Sequence, residues 1–110
     1  MIKLPDLVRD RIKVSPIQIA DFCDRWNIVE CALFGSVLRD DFHRDSDIDI
    51  LVTFEPDRWF TWDDWMAIEK ESTALFGRNV DLVSKEYLKN PYRRYEILNT
   101  CHIIYAIEKP

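Results

Sequence analysis

The sequence predicts an α+β domain, a small mixed β-sheet with helices packed against it. Three observations lead there. Four short segments at 28–34, 47–54, 79–84 and 101–107 carry the apolar or alternating pattern of strands. Segments at 15–26 and 61–76 carry helical spacing and end signals. Strands and helices alternate within 110 residues, the size of one domain. With 47% hydrophobic and 13% aromatic residues, the chain is not a disordered one.

Each element has a local cause. Residues 1–14 are expected to form an N-terminal arm or short helix, too charged for a signal peptide. Ser15 suits a helix cap and Pro16 the first helical position. Ile19, Phe22, Cys23 and Trp26 then fall on one stripe. The run 28–34 (IVECALF) reads as a buried strand stopped by Gly35-Ser36, and 37–41 as a short helical turn. In 47–54 (DIDILVTF), Ile48, Ile50, Val52 and Phe54 point one way and Asp47, Asp49, Leu51 and Thr53 the other. Pro56 stops that strand. A helix over 61–76 ends at Gly77, suited to a left-handed cap. A strand over 79–84 places Asp81 between Val80 and Leu82. Helices over 85–89 and 92–98 and a strand over 101–107 complete one domain, 1–110.

Composition removes several classes of function. Lys and Arg number 15 against 20 Asp and Glu, a formal charge of −5, which argues against direct nucleic-acid binding. No apolar run approaches the roughly 18 residues of a membrane helix, so a cytoplasmic protein is expected. Cys23, Cys31 and Cys101 are an odd set without the spacing of a disulfide framework or zinc site, and read as free thiols.

The acidic residues are concentrated. Between Ser36 and Ile50 there are five aspartates and two arginines, a local charge of −3. Asp47 and Asp49 are two apart on a strand, so both carboxylates leave the same face, about 7 Å apart along it. Like charges so placed raise each other's energy unless a cation lies between them. Mg²⁺, which takes one or two carboxylates plus substrate phosphates, resolves that conflict. Upstream, Gly35 allows close backbone approach, and Ser36 with free amides at a helix start can hold a phosphate. Together they suggest a Mg²⁺-nucleotide site. Taken singly, Gly35 could be a turn glycine, Ser36 a helix cap and the aspartates a solvated strand face.

Gly35-Ser36, ten residues, then Asp47-Ile48-Asp49 resembles the signature of the DNA polymerase beta-like nucleotidyltransferases. The fuller string LFGSVLRDDFHRDSDIDILV is similar to the minimal nucleotidyltransferases of that superfamily. The resemblance implies their fold, and a role for each matching residue. Gly35 and Ser36 would hold the triphosphate of ATP. Asp47 and Asp49 would bind two Mg²⁺ ions, and Asp81, the third catalytic carboxylate, would complete one metal site and assist deprotonation of the attacking hydroxyl. Arg39 and Arg44 would offset phosphate charge, although they and His43 read equally well as surface residues. The family's basic residue near position 39 is often followed by Gly, and here Asp40 follows.

A unit this small resembles most closely the antitoxins encoded beside HEPN-domain ribonuclease toxins. That resemblance implies transfer of AMP from ATP to a tyrosine hydroxyl of the toxin, the acceptor domain being supplied in trans. Two alternatives are neutralisation by binding alone and an aminoglycoside-type small-molecule nucleotidyltransferase. Two other features stand outside the motif. Trp59, Trp62 and Trp65 lie three apart; Trp65 with Met66 and Ile68 is expected in the core, and Trp59 with Phe60 could anchor a protein partner. Residues 85–94 carry a local charge of +3, a solvated face or a phosphate contact.

Overall fold

The computed structural model describes residues 10–107. Its elements are helix α1 (Pro16–Arg25), strand β1 (Ile28–Phe34), a 3-10 turn (Gly35–Leu38), strand β2 (Ile48–Phe54) and helix α2 (Trp62–Phe76). Strand β3 (Val80–Ser84), a second 3-10 turn (Lys85–Tyr87), helix α3 (Pro91–Thr100) and strand β4 (His102–Ala106) follow. The expected arm over 1–14 lies largely outside the described residues. Of its last five, Asp10 to Ile12 are helical, and Ile12 and Val14 are buried in the core.

The strands form one mixed sheet in the order β3-β2-β1-β4. Strand β1 pairs antiparallel with β2 and β4, while β2 and β3 run parallel. A parallel pair needs a crossover connection. Helix α2 lies in that connection.

Both helix starts written into the sequence are capping boxes. Ser15 Oγ accepts from Gln18 N at 3.2 Å while Ser15 N donates to Gln18 Oε1 at 3.0 Å. Thr61 and Asp64 repeat the arrangement at α2. Gly77 ends α2 with φ +69°, its amide donating to Thr73 O at 2.9 Å. Between α1 and β1, Asn27 adopts φ 56°, a region Asn tolerates better than most residues, and its carbonyl accepts from Glu55 N at 2.9 Å.

Strand alternation divides the core in two. On one face Leu33, Ile48, Ile50, Val52 and Ile104 pack with Phe22 of α1 and Ile68 of α2. Burying one such side chain contributes about 1.5–3 kcal/mol. On the other face Ala32, Phe34, Leu51 and Leu88 pack with Ile97 of α3, a smaller cluster. Asp47, Asp49 and Asp81 have the parity of this second face.

Two expectations need correction. The helix over 85–89 is only the three-residue 3-10 turn. Asn90 must be extended before Pro91 and caps α3 by accepting from Tyr92 N and Arg93 N, which leaves too little chain for a full helix. Met66, expected in the core beside Trp65 and Ile68, is 51% exposed. Ile68 is fully buried and Trp65 packs against the core edge, but Met66 falls on the outer side of α2. The cysteines are free thiols, Cys23 and Cys31 buried and Cys101 half-buried. No helix among the described residues is long and apolar enough to cross a membrane.

Candidate functional site

The site begins where β1 stops. Gly35 has φ +76°, a left-handed conformation that glycine adopts without strain. It is constrained twice over. A Cβ built there would overlap Asp49 Oδ2 and stand 3.0 Å from Asp49 Cγ, so the backbone of the turn and the carboxylate of the neighbouring strand occupy one space. Ser36 follows, half-buried, its carbonyl accepting from Arg39 N at 2.9 Å to close the 3-10 turn.

Sheet register assembles the rest. Asp49 of β2 lies opposite Phe34 of β1 on one side and opposite Asp81 of β3 on the other. Asp47 precedes β2 by one residue and is exposed, as is Asp81, whereas Asp49 is half-buried. The electrostatic result is visible on Asp49. Burial, then the charges of Asp81 and Asp47, raise its pKa above the ordinary 3.8, and Arg39 and Arg93 offset part of the rise. Three carboxylates therefore act on one another, with Asp49 at the centre.

The predicted arginines differ from this picture. Arg39 is exposed, and its Nε donates to Asp41 Oδ1 at 3.1 Å, holding the Asp41 carboxyl below its usual range. Its charge reaches Asp49, but its side chain is engaged outside the carboxylate group. Arg44 is exposed in a turn in which Ser46 Oγ accepts from His43 N at 3.0 Å. Arg93, at the start of α3, is a second positive charge that acts on Asp49. It belongs to the basic 85–94 segment, which the pattern left open between solvent and phosphate.

A profile of the nucleotidyltransferase domain family matches residues 17–104, a span that includes Gly35, Ser36, Asp47, Asp49 and Asp81. The chain belongs to that family. Among its relatives, a Methanocaldococcus jannaschii protein assigned as a protein adenylyltransferase is 31% identical over 74 residues, 67% of this chain and 74% of the relative. Protein adenylyltransferase MntA of Thermococcus cleftensis is 39% identical over 67 residues, 61% of this chain and 66% of MntA. A solved structure assigned to the minimal nucleotidyltransferases is 32% identical, with a TM-score of 0.64 over 79% of this chain and 86% of its own. Two further likenesses support the fold. A toxin–antitoxin crystal structure with AMP-PNP gives a TM-score of 0.68 at 18% identity, covering 86% of this chain and 76% of that one. A tri-AMPylated Shewanella oneidensis HEPN toxin in complex with its MNT antitoxin gives 0.60 at 15% identity, covering 84% and 70%.

In this nucleotidyltransferase domain two residues that the sequence reading passed over contact the loop between Gly35 and Asp47. Arg11 Nη1 donates to Val37 O and Arg39 O, and Arg78 Nη1 donates to His43 O and Ser46 O. Those partners are 26 to 35 residues away in sequence, and no spacing rule reaches so far.

Proposed function

We propose that this domain transfers AMP from ATP to a tyrosine hydroxyl of a HEPN-domain ribonuclease toxin and silences it. The observation that carries the reading is Asp49, crowded between Asp47 and Asp81 and pressed against the Gly35 turn. A likeness to MntA and to toxin–antitoxin complexes supports the choice of partner.

A divalent cation suits these donors. Hard carboxylate oxygens are what Mg²⁺ takes, alongside water and substrate phosphates, and their mutual repulsion is relieved by positive charge. Among the described residues no three His, Cys, Asp or Glu side chains form a ready-made cage, so the fit rests on donor chemistry and charge. Asp47, Asp49 and Asp81 would hold the metal, which when bound polarises the α-phosphate and eases ionisation of the attacking hydroxyl.

The chain's own residues then divide the work. The Gly35-Ser36 turn would offer backbone amides and a hydroxyl to the triphosphate, beside the Asp49 carboxylate for which the bare position 35 leaves room. Asp81, exposed at the start of β3, would assist removal of the hydroxyl proton. The tyrosine oxygen bonds to the α-phosphorus, the bond to the β-phosphate oxygen breaks, and pyrophosphate leaves. Arg93 and Arg39, whose charges reach Asp49, would offset charge growing on the phosphates.

Intact-mass spectrometry of the genomically adjacent toxin, after incubation with the protein, ATP and Mg²⁺, tests the reading. A gain of one or more AMP units, absent with Asp47→Asn and Asp49→Asn, is the expected result. Neutralisation that persists in both variants with no mass gain would overturn it in favour of binding alone. Label on an aminoglycoside instead of the toxin would point to a small-molecule acceptor.

A further inference from the structure

We propose that Arg11 and Arg78 are positioning residues that clamp the loop between the Gly35 turn and the Asp47-Asp49 pair, with Phe42 gripped between them. The inference rests on the carboxylate site proposed above and concerns how its two halves are held together.

Residues 39–47 contain neither helix nor strand, yet they join the phosphate-binding turn to the carboxylates. Such a segment lacks the repeating hydrogen bonds that fix a backbone, so its carbonyls need other partners. Three of them, and one carbonyl of the preceding turn, are met by two guanidinium groups. Arg11 Nη1 donates to Val37 O at 2.8 Å, within the 3-10 turn, and to Arg39 O at 2.6 Å, just after it. Arg78 Nη1 donates to His43 O at 3.2 Å and Ser46 O at 3.0 Å, the second being the residue before Asp47.

The two arginines also share an aromatic ring. Their guanidinium carbons stand 5.2 Å and 4.7 Å from the centroid of Phe42, within cation–π range. Phe42 is half-buried and packs against the main core, so the ring is itself anchored. Each arginine is anchored too. Arg11 precedes Ile12, 1% exposed, and Arg78 lies between the Gly77 helix cap and β3, which carries Asp81. Arg78 thus ties the backbone before Asp47 to the strand of the third carboxylate, where Ile48 N also donates to Asn79 O at 3.0 Å.

The chemistry calls for arginine. A planar guanidinium donates in its plane to two carbonyls while offering its face to a ring, whereas an ammonium is a point charge on a flexible stem with no such fixed plane. The clamp predicts a division of effect, with Arg11 governing the triphosphate turn and Arg78 the carboxylate pair.

Three measurements on the full chain test this, using Arg11→Gln, Arg78→Gln, Arg78→Lys and Phe42→Leu. In metal-free protein, amide hydrogen exchange over 39–47 should accelerate roughly tenfold or more in each variant, while amides of β1 and β2 keep their protection. Calorimetric Mn²⁺ titration should show weaker binding to Arg78→Gln than to wild type, and unchanged binding to Arg11→Gln. In AMP transfer, Arg78→Gln should lower kcat by about a hundredfold with little change in KM for the toxin, as expected of a misplaced reacting group. Arg11→Gln should instead raise KM for ATP, and Arg78→Lys should fail to rescue.

Unchanged exchange over 39–47 in the Arg78 variants, or equal acceleration in loop and strands, overturns the clamp. If Arg78→Gln does not fold, Arg78→Lys and Phe42→Leu carry the same comparison. Should the wild-type protein transfer no AMP, the proposed activity fails, and exchange together with Mn²⁺ binding still decides the clamp.

Discussion

At one end of the sheet, where β1 stops and β2 and β3 start, a glycine turn and three aspartates meet. At the other end, where β2 and β3 stop, a groove of about 970 Å³ is lined by Phe54, Trp59, Phe60, Trp65 and Tyr87 with Arg58, Lys85 and Arg94. At the second end several of these groups have partners. Phe54 packs on Phe60 at 4.2 Å and meets Trp65 edge-on at 6.3 Å, and Arg58 stands 4.8 Å over Phe60. Arg94 Nη1 donates to Lys85 O at 3.1 Å and Leu88 O at 3.2 Å. The carboxylate end has no such balance, because Asp49 bears the cost of two neighbouring like charges and partial burial. That unresolved charge conflict, rather than cavity size, is what marks the carboxylate end as the candidate site.

The contrast can be broken experimentally at several points. Gly35→Ala should have the largest effect on stability, since it adds left-handed strain and overlap with Asp49. Urea denaturation should show a loss of roughly 2–5 kcal/mol. The only other glycine is the control. Gly77 has nearly the same φ but nothing within 4 Å of an added Cβ, so Gly77→Ala should cost about 1–2 kcal/mol, from strain alone. Equal losses at the two positions would show that Asp49 does not crowd Gly35.

Asp49→Asn should act in the opposite direction. In the folded chain Asp49 holds its proton more tightly than its ordinary pKa of 3.8 would give, so the protonated form favours folding. That contribution is lost as pH rises through the raised value. With EDTA present, the variant should therefore equal wild type near pH 3.5 and exceed it at pH 7, by less than about 1 kcal/mol because Asp49 is partly solvated. Mg²⁺ should reverse the order. A variant less stable than wild type at pH 7 without metal would contradict the charge conflict. At the aromatic end Trp62→Ala should change stability by no more than about 0.5 kcal/mol, since Trp62 is 73% exposed. A loss above about 1.5 kcal/mol would show that the exposed Trp62 ring is structural after all.

Legibility followed the distance over which each signal acts. Strand β1, both capping boxes and the Gly77 stop are encoded within a few residues, and each appears where the sequence puts it. The Gly35-Ser36 to Asp49 stretch was readable because its parts are contiguous. Asp81 was readable only through family resemblance, since nothing local distinguishes one aspartate in a strand. Its place opposite Asp49 comes from the parallel register of β2 and β3. Arg11 and Arg78 were invisible, because their targets are backbone carbonyls that advertise nothing in sequence. Met66 shows a subtler failure: helical spacing marks a stripe, but where the stripe ends depends on how α2 lies against the sheet.

The parallel pairing of β2 and β3 also sets an order of events. Asp49 and, one residue before its strand, Asp47 can come beside β1 across one loop, but Asp81 arrives only after the whole of α2 has been laid down between them. Contacts that span so much chain are expected to form late. Folding of the metal-free chain then ends by bringing a third negative charge to a place that already holds two. A divalent ion should accordingly slow unfolding more than it speeds folding, and Leu82 of β3 should show a lower φ-value than Leu33 of β1.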